Sequence, residues 1–234
     1  MKRLESELEK YGCSDIAHKL SQFEEYRRKI LEINETLNMT RITDPDEFET
    51  RHFVESLQPC GSEEFVRAER ILDVGSGAGF PGVPMAIAFP EKEFVLLDSL
   101  AKRMDAVADI CKEAGIDNVT CVHGRAEDAA REAEMREAFD LCVSRAVASL
   151  DVLCEYCLPF VKTGGNFAAF KGKGDAEELE QATKAIDVLG GGEITVREAR
   201  PALSDGVCIY IKKENLTPDK YPRPAGKPSK KPIR

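Results

Sequence analysis

No run of about 18 uncharged apolar residues occurs in this 234-residue sequence, which argues against a membrane-spanning helix. The opening stretch, Met1 to Glu9, mixes both charge signs where a signal peptide needs an apolar segment. A cytoplasmic protein is therefore expected. No G-x-x-x-x-G-K-[S/T] motif is present, so a nucleoside triphosphate would lack its P-loop lysine. Tryptophan is absent, and no internal repeat is visible. Cysteine is not scarce, but Cys13, Cys60, Cys111, Cys121, Cys142, Cys154, Cys157 and Cys208 lie at scattered spacings in a chain too long to need disulfide staples. Reduced thiols, mostly in the core, are expected. Cys154 and Cys157 form a C-x-x-C, yet no second Cys or His pair completes a ligand set, and both share a helical apolar stripe with Leu150, Leu153 and Leu158. Packing is the expected use, and no metal is expected.

What is present fits one medium domain with a short extension, since 42% apolar residues over this length is ample for a core. Asp and Glu number 42 against 33 Lys and Arg, a net charge of −9. The charge is uneven. From Pro218 to Arg234 six cations face one anion, so this tail carries +5 and the remainder −14. Its five prolines disfavour a helix and favour an extended conformer. The tail reads equally as an arm touching RNA, through Lys220, Arg223 and Lys227, or as a solubilising disordered end. The acidic body argues against tight, indiscriminate nucleic-acid binding.

Apolar residues Ile16, Leu20, Phe23, Tyr26, Ile30, Ile33 and Leu37 recur at three- and four-residue steps and predict an amphipathic helix. Asp44-Pro45-Asp46-Glu47 predicts a second start, with Asp44 as cap, Pro45 in the first position and Glu47 reaching back. Residues 1–58 thus read as a helical extension, 59–213 as the main domain and 214–234 as the tail. From Arg70 the texture changes. Runs at 71–74, 94–98, 119–122 and 139–143 read as buried strands, with 99–114 as a helix ended by Gly115. Further strands are expected at 165–170, 193–196 and 207–212, the last two as a hairpin at one edge. Alternating strands and helices predict an α/β fold, a doubly wound and mostly parallel sheet.

Glycines follow the first strand directly in Leu72-Asp73-Val74-Gly75-Ser76-Gly77-Ala78-Gly79-Phe80-Pro81-Gly82. Gly75 and Gly77 allow a tight turn and close approach of a ligand. Gly77, Gly79 and Gly82 satisfy the dinucleotide G-x-G-x-x-G spacing, but that match starts three residues beyond Val74, too late for the fingerprint. Asp73 before the turn and Asp98 ending the next strand fit a nucleoside whose ribose hydroxyls need a carboxylate acceptor.

This pattern resembles the Rossmann-like S-adenosylmethionine-dependent methyltransferases, with a seven-stranded sheet and helices on both faces. Taken in order, Asp73 to Pro84, Leu96 to Arg103, Ser144 to Leu150 and Lys171-Gly172 are similar to the bacterial ribosomal RNA small-subunit methyltransferase G family, also called glucose-inhibited division protein B. So are Leu37-Asn38-Met39-Thr40, Arg51-His52 and the tail from Lys220 to Pro228. The resemblance implies transfer of a methyl group from S-adenosylmethionine to N7 of a guanine in the 530 loop, in the decoding region of 16S rRNA. It implies cofactor contacts from Gly75, Gly77 and Phe80 on the methionine and ribose side, Asp98 at the ribose, Ala126 and Glu127 at the adenine, and Arg145 closing the pocket. Taken alone, Glu127 reads as a solvated helix carboxylate.

Guanine N7 carries a lone pair and no proton, so the implied reaction needs no general base, and His18, His52 and His123 need not be catalytic. Arg145, Lys171 and Arg125 are the candidates to hold a phosphate or the base O6, although each alone would more often be a surface charge. Phe170 could stack on a flipped base, with core packing the commoner use. Asn38, Arg51 and His52 are expected to clamp the helices onto the sheet, with Arg51 and Glu55 as an ion pair. Two departures from the family pattern stand out: Glu55 where Asp is usual, and Gly206-Val207-Cys208 where an Arg is common. The implied partner is the small ribosomal subunit, met by a monomer. A methyltransferase acting on a small molecule or protein, and a non-catalytic ribosome-binding module, are the rival readings.

Overall fold

The structure, a computed structural model, describes residues 1–172, 176–198 and 206–234. Helices α1 (Lys2–Lys10) and α2 (Ile16–Leu37) open the chain. A helical rod follows: α3 (Pro45–Phe48), a π-helical turn (Glu49–Val54) and a 3₁₀ segment (Glu55–Gly61). Asp44 caps the rod as its sequence predicts, accepting from the Asp46 and Glu47 amides. Helix α4 (Glu63–Arg67) leads to β1 (Arg70–Val74). Then come α5 (Gly82–Ala88), β2 (Glu93–Asp98), α6 (Ala101–Glu113), β3 (Val119–His123), α7 (Ala126–Ala129) and β4 (Phe139–Arg145). The chain closes with α8 (Leu150–Cys157), β5 (Val161–Lys171), α9 (Ala176–Val188), β6 (Gly191–Glu198), β7 (Val207–Lys213) and α10 (Lys227–Lys230).

All seven strands form one sheet in the order β3-β2-β1-β4-β5-β7-β6. Strands β1 to β5 pair in parallel, and β7 enters antiparallel between β5 and β6. The alternation of side chains sorts the core into two layers. Ile71, Phe94, Leu96 and Val143 face the extension, α5 and α6, while Leu72, Val95, Leu97 and Cys142 face α8 and α9. Six of the eight cysteines are buried and all are free thiols, with Cys154 and Cys157 on the inner face of α8. No helix among the described residues is long and apolar enough to cross a membrane.

The tail departs from its sequence reading. It is neither extended nor detached. Pro228 sits in the first turn of α10, where a missing N–H costs nothing, and the segment lies back on α8. Its root is pinned by Lys213, a fully buried ammonium that donates to the Leu158 carbonyl (2.7 Å) and Thr217 Oγ1 (2.6 Å) beside Glu137. Arg136 adds bonds to the carbonyls of Thr217 (2.7 Å) and Tyr221 (3.0 Å). The proline rule speaks to long helices and says nothing of distant carboxylates, and those hold this segment.

Candidate functional site

Strand order reverses between β1 and β4, so the loops leaving these strands diverge and open a crevice at the carboxyl edge of the sheet. A cleft of about 600 Å³ lies there. The turn after β1, the residues after β2 and β3, and Arg145 to Val147 after β4 form its floor and sides. Met39, Ile42, Arg51, His52 and Glu55 of the extension close one wall.

The turn is held open by backbone geometry. Gly75 lies at φ +75°, its N–H donating to the Leu97 carbonyl (2.7 Å), and a Cβ there would be driven into Val147 Cγ2. Gly77 lies at φ +56°, and no atom stands within 4 Å of where its Cβ would be, so the chain there faces open cleft. Asp98 is oriented by two amides: Gly77 N–H donates to Oδ2 and Leu100 N–H to Oδ1, both at 2.9 Å. Beneath the turn Asp73 is 1% exposed. Its Oδ2 accepts from the Gly82 amide (2.8 Å) at the start of α5, while Oδ1 has no partner. Burial lifts the Asp73 carboxyl to about 7, with the Gly82 bond and the Arg145 charge opposing the rise.

Arg145 joins the sheet to the extension. Its Nη1 donates to the Arg51 carbonyl (2.9 Å), and its guanidinium lies 5.8 Å from the Phe80 ring centroid. Phe80 stacks on His52 at 4.3 Å with planes 5° apart. His52 Nε2 lies 2.7 Å from Thr40 Oγ1, and burial together with the Arg145 charge lowers its pKa to about 3, so the ring is neutral at physiological pH. Arg51 pairs with Glu55 at 2.8 Å. The clamp expected of Asn38, Arg51 and His52 is seen, reinforced by Arg103 on the Asn38 carbonyl (3.0 Å) and by Tyr26 Oη on the Ala78 carbonyl (2.8 Å). His52 is at once clamp and cleft wall.

Several predicted site residues lie elsewhere or are differently engaged. Ala126 and exposed Arg125 line the cleft. Glu127 lines it too, but it is no solvated carboxylate: it is 4% exposed and accepts from the Gly226 amide of the tail at 2.7 Å. Lys171 is withdrawn from the lining. Its side chain is 9% exposed, donating to the Ala148 carbonyl (3.0 Å) and pairing with Glu178 (2.6 Å), so its charge is already partnered. Arg223 is likewise taken, gripping Glu155 at 2.6 Å, whereas Lys220 and Lys227 are exposed. Phe170 is half-buried against the core layer facing the extension, the commoner of its two expected uses. Tyr156 escapes the sequence reading, as does the bond between Thr40 and His52. The stripe on α8 marks only its buried face, and Tyr156 projects from beside it into the cleft.

A model of the rRNA small subunit methyltransferase G family matches residues 19–203. The chain is similar to proteins named ribosomal RNA small subunit methyltransferase G from Alkaliphilus metalliredigens, 43% identical over 96% of this chain and 97% of that protein, and from Alkaliphilus oremlandii, 46% identical over 92% and 91%. In fold it is similar to the O-methyltransferase of Bacillus cereus solved in complex with SAH (TM-score 0.56, 17% identity, 80% of this chain and 90% of that one). A putative O-methyltransferase from Klebsiella pneumoniae gives a TM-score of 0.55 at 18% identity, over 80% and 90% of the two chains.

Proposed function

The chain belongs to the rRNA small subunit methyltransferase G family, and from that footing we propose that it transfers a methyl group from S-adenosylmethionine to N7 of a guanine in the 530 loop of 16S rRNA. It does so as a monomer in the cytoplasm, on the small ribosomal subunit.

The cleft suits the methyl donor. About 600 Å³ is ordinary for a small-molecule site. The open backbone at Gly77 admits a ligand against the turn, and Asp98, with one amide on each oxygen, keeps lone pairs for ribose hydroxyls. Gly75 and Phe80 flank the methionine side, and Ala126 and Glu127 border the nucleobase end. When bound, S-adenosylmethionine supplies an electrophilic methyl on a sulfonium.

The protein's part is placement. The observation that carries the N7 reading is that each acid and imidazole around the cleft is hydrogen-bonded or ion-paired, or, like the unpartnered Asp73 Oδ1 and His52 Nδ1, buried away from the cleft space. His52 is neutral and bonded to Thr40, Glu55 holds Arg51, Asp98 holds two amides, Glu127 holds Gly226, and Asp73 lies under the turn. N7 suits such a site because its lone pair attacks in line with no proton to remove. Arg145 is anchored through one nitrogen and keeps further N–H donors for the guanine O6 or a flanking phosphate. Lys171 acts through the Ala148 carbonyl, fixing the loop that follows Arg145. Of the cations expected to meet RNA, Arg125, Lys220 and Lys227 are exposed and available to its phosphates.

The test is transfer of labelled methyl from S-adenosylmethionine to undermethylated 30S subunits, free 16S rRNA and an rRNA-free control, followed by strand scission at N7-methylguanine. Label at a single guanine of the 530 loop is expected. Label that resists scission would overturn the N7 assignment, and label only in the rRNA-free control would overturn the substrate.

A further inference from the structure

Three carboxylates that the body buries take a partner from the last twelve residues of the chain. Glu155, 1% exposed, accepts from the Arg223 guanidinium through both oxygens (2.6 to 3.1 Å) and from the Arg223 amide (2.7 Å). Asp151, 2% exposed, accepts from Arg234 Nε at 2.8 Å. Glu127 accepts from the Gly226 amide. A buried carboxylate without donors is costly, so these contacts fix where the segment lies. They also fix something in the cleft. Glu127 and Tyr156 both line it, and both are tied to this segment, Glu127 directly by the Gly226 amide and Tyr156 through its neighbour Glu155, which Arg223 grips. Arg223, which grips Glu155 next to Tyr156 on α8, is the anchor that holds Gly226, three residues on, against Glu127.

We propose that residues 221–229 are a positioning strap for the nucleobase end of the cleft, setting affinity for the adenosine moiety of the methyl donor, with Arg223 as its anchor. The proposal rests on the reading of the cleft as an S-adenosylmethionine site. The Arg223 charge is spent on the protein's own Glu155, and the strap acts on the cofactor before it acts on RNA.

Calorimetry with S-adenosylhomocysteine and with adenosine, on the full chain, tests this without any methylation assay. Arg223→Ala is expected to weaken both ligands by the same factor, about tenfold, equivalent to about 1.4 kcal/mol. Arg223→Lys, which keeps the charge and loses the two-pronged grip, is expected to recover part of the loss, and it carries the comparison should the alanine variant fail to fold. A purely structural role would lower the unfolding midpoint and leave the dissociation constants of the folded fraction unchanged, which would overturn the proposal. So would unchanged ligand affinity with weakened 30S binding, the result for an RNA-touching arm. Failure of the parent protein to bind S-adenosylhomocysteine would instead sink the cofactor reading itself.

Discussion

Asp73→Asn isolates a carboxylate that the fold keeps in the wrong place for its charge. The asparagine oxygen can still accept from the Gly82 amide, so the start of α5 keeps its acceptor, while the titration disappears. In the parent the carboxyl sits at about 7 against an ordinary value of 3.8. The native state therefore binds more protons than the unfolded chain between those values, and stability falls as pH rises through that window. At about 1.36 kcal/mol per unit, the raised value costs about 2 kcal/mol near pH 5 and about 4 kcal/mol near pH 8. The difference in unfolding free energy between parent and variant, measured by urea denaturation, should thus move by about 2 to 3 kcal/mol in the variant's favour across that range. The amide places an N–H₂ group at the site of the unpartnered Oδ1, a cost that does not vary with pH. Curves that run parallel to within about 0.5 kcal/mol would refute the reasoning, because they would mean that Asp73 keeps an ordinary acidity in the folded protein.

Other substitutions separate cradle from contact. Gly77→Ala places a methyl group in open cleft at a positive φ, so S-adenosylhomocysteine affinity should fall at least tenfold while stability changes by about 1 kcal/mol. Gly75→Ala adds a collision with Val147, and a larger drop in unfolding free energy should accompany its loss of binding; equal stability in the two variants would contradict the geometry. Asp98→Ala strips the acceptor from the Gly77 and Leu100 amides and should abolish detectable binding by calorimetry. Lys171→Ala should leave cofactor affinity intact and slow methyl transfer, because it releases the loop after Arg145 and not the cradle; matching losses in both would show that the loop and the cradle are one unit.

The strands and the Gly-rich turn were legible because their signals are local. Periodicity marks Phe94 to Asp98 as a buried strand whatever it pairs with, and a turn of three closely spaced glycines after an apolar run needs no distant residue to explain it. The clamp was half legible, since Arg51 and Glu55 share a helix face, but the stack of His52 on Phe80 depends on how the rod meets the turn. Helix α9 is not among the predicted elements although Ala182, Ala185 and Ile186 carry a helical period, because three small or medium apolar residues make a weak stripe. The tail was misread for a physical reason. Its arginines find Asp151 and Glu155, and its Gly226 amide finds Glu127, from 68 to 99 residues away, and no window of sequence holds both partners.

The π-helical turn at Glu49–Val54 holds one residue more than an α-helix would over the same rise, and this sets a rotational phase. At its start Glu49 receives the Leu4 amide (2.9 Å); in its middle the Arg51 carbonyl receives Arg145; towards its end Phe53, and beyond it Leu57, fill the core. Deleting one residue from the turn would regularise the rod and turn one end against the other by about 100°. The α1 end and the cleft end could then no longer both be satisfied. The extension behaves here as a crankshaft, whose offset matters more than the identity of the residue that supplies it.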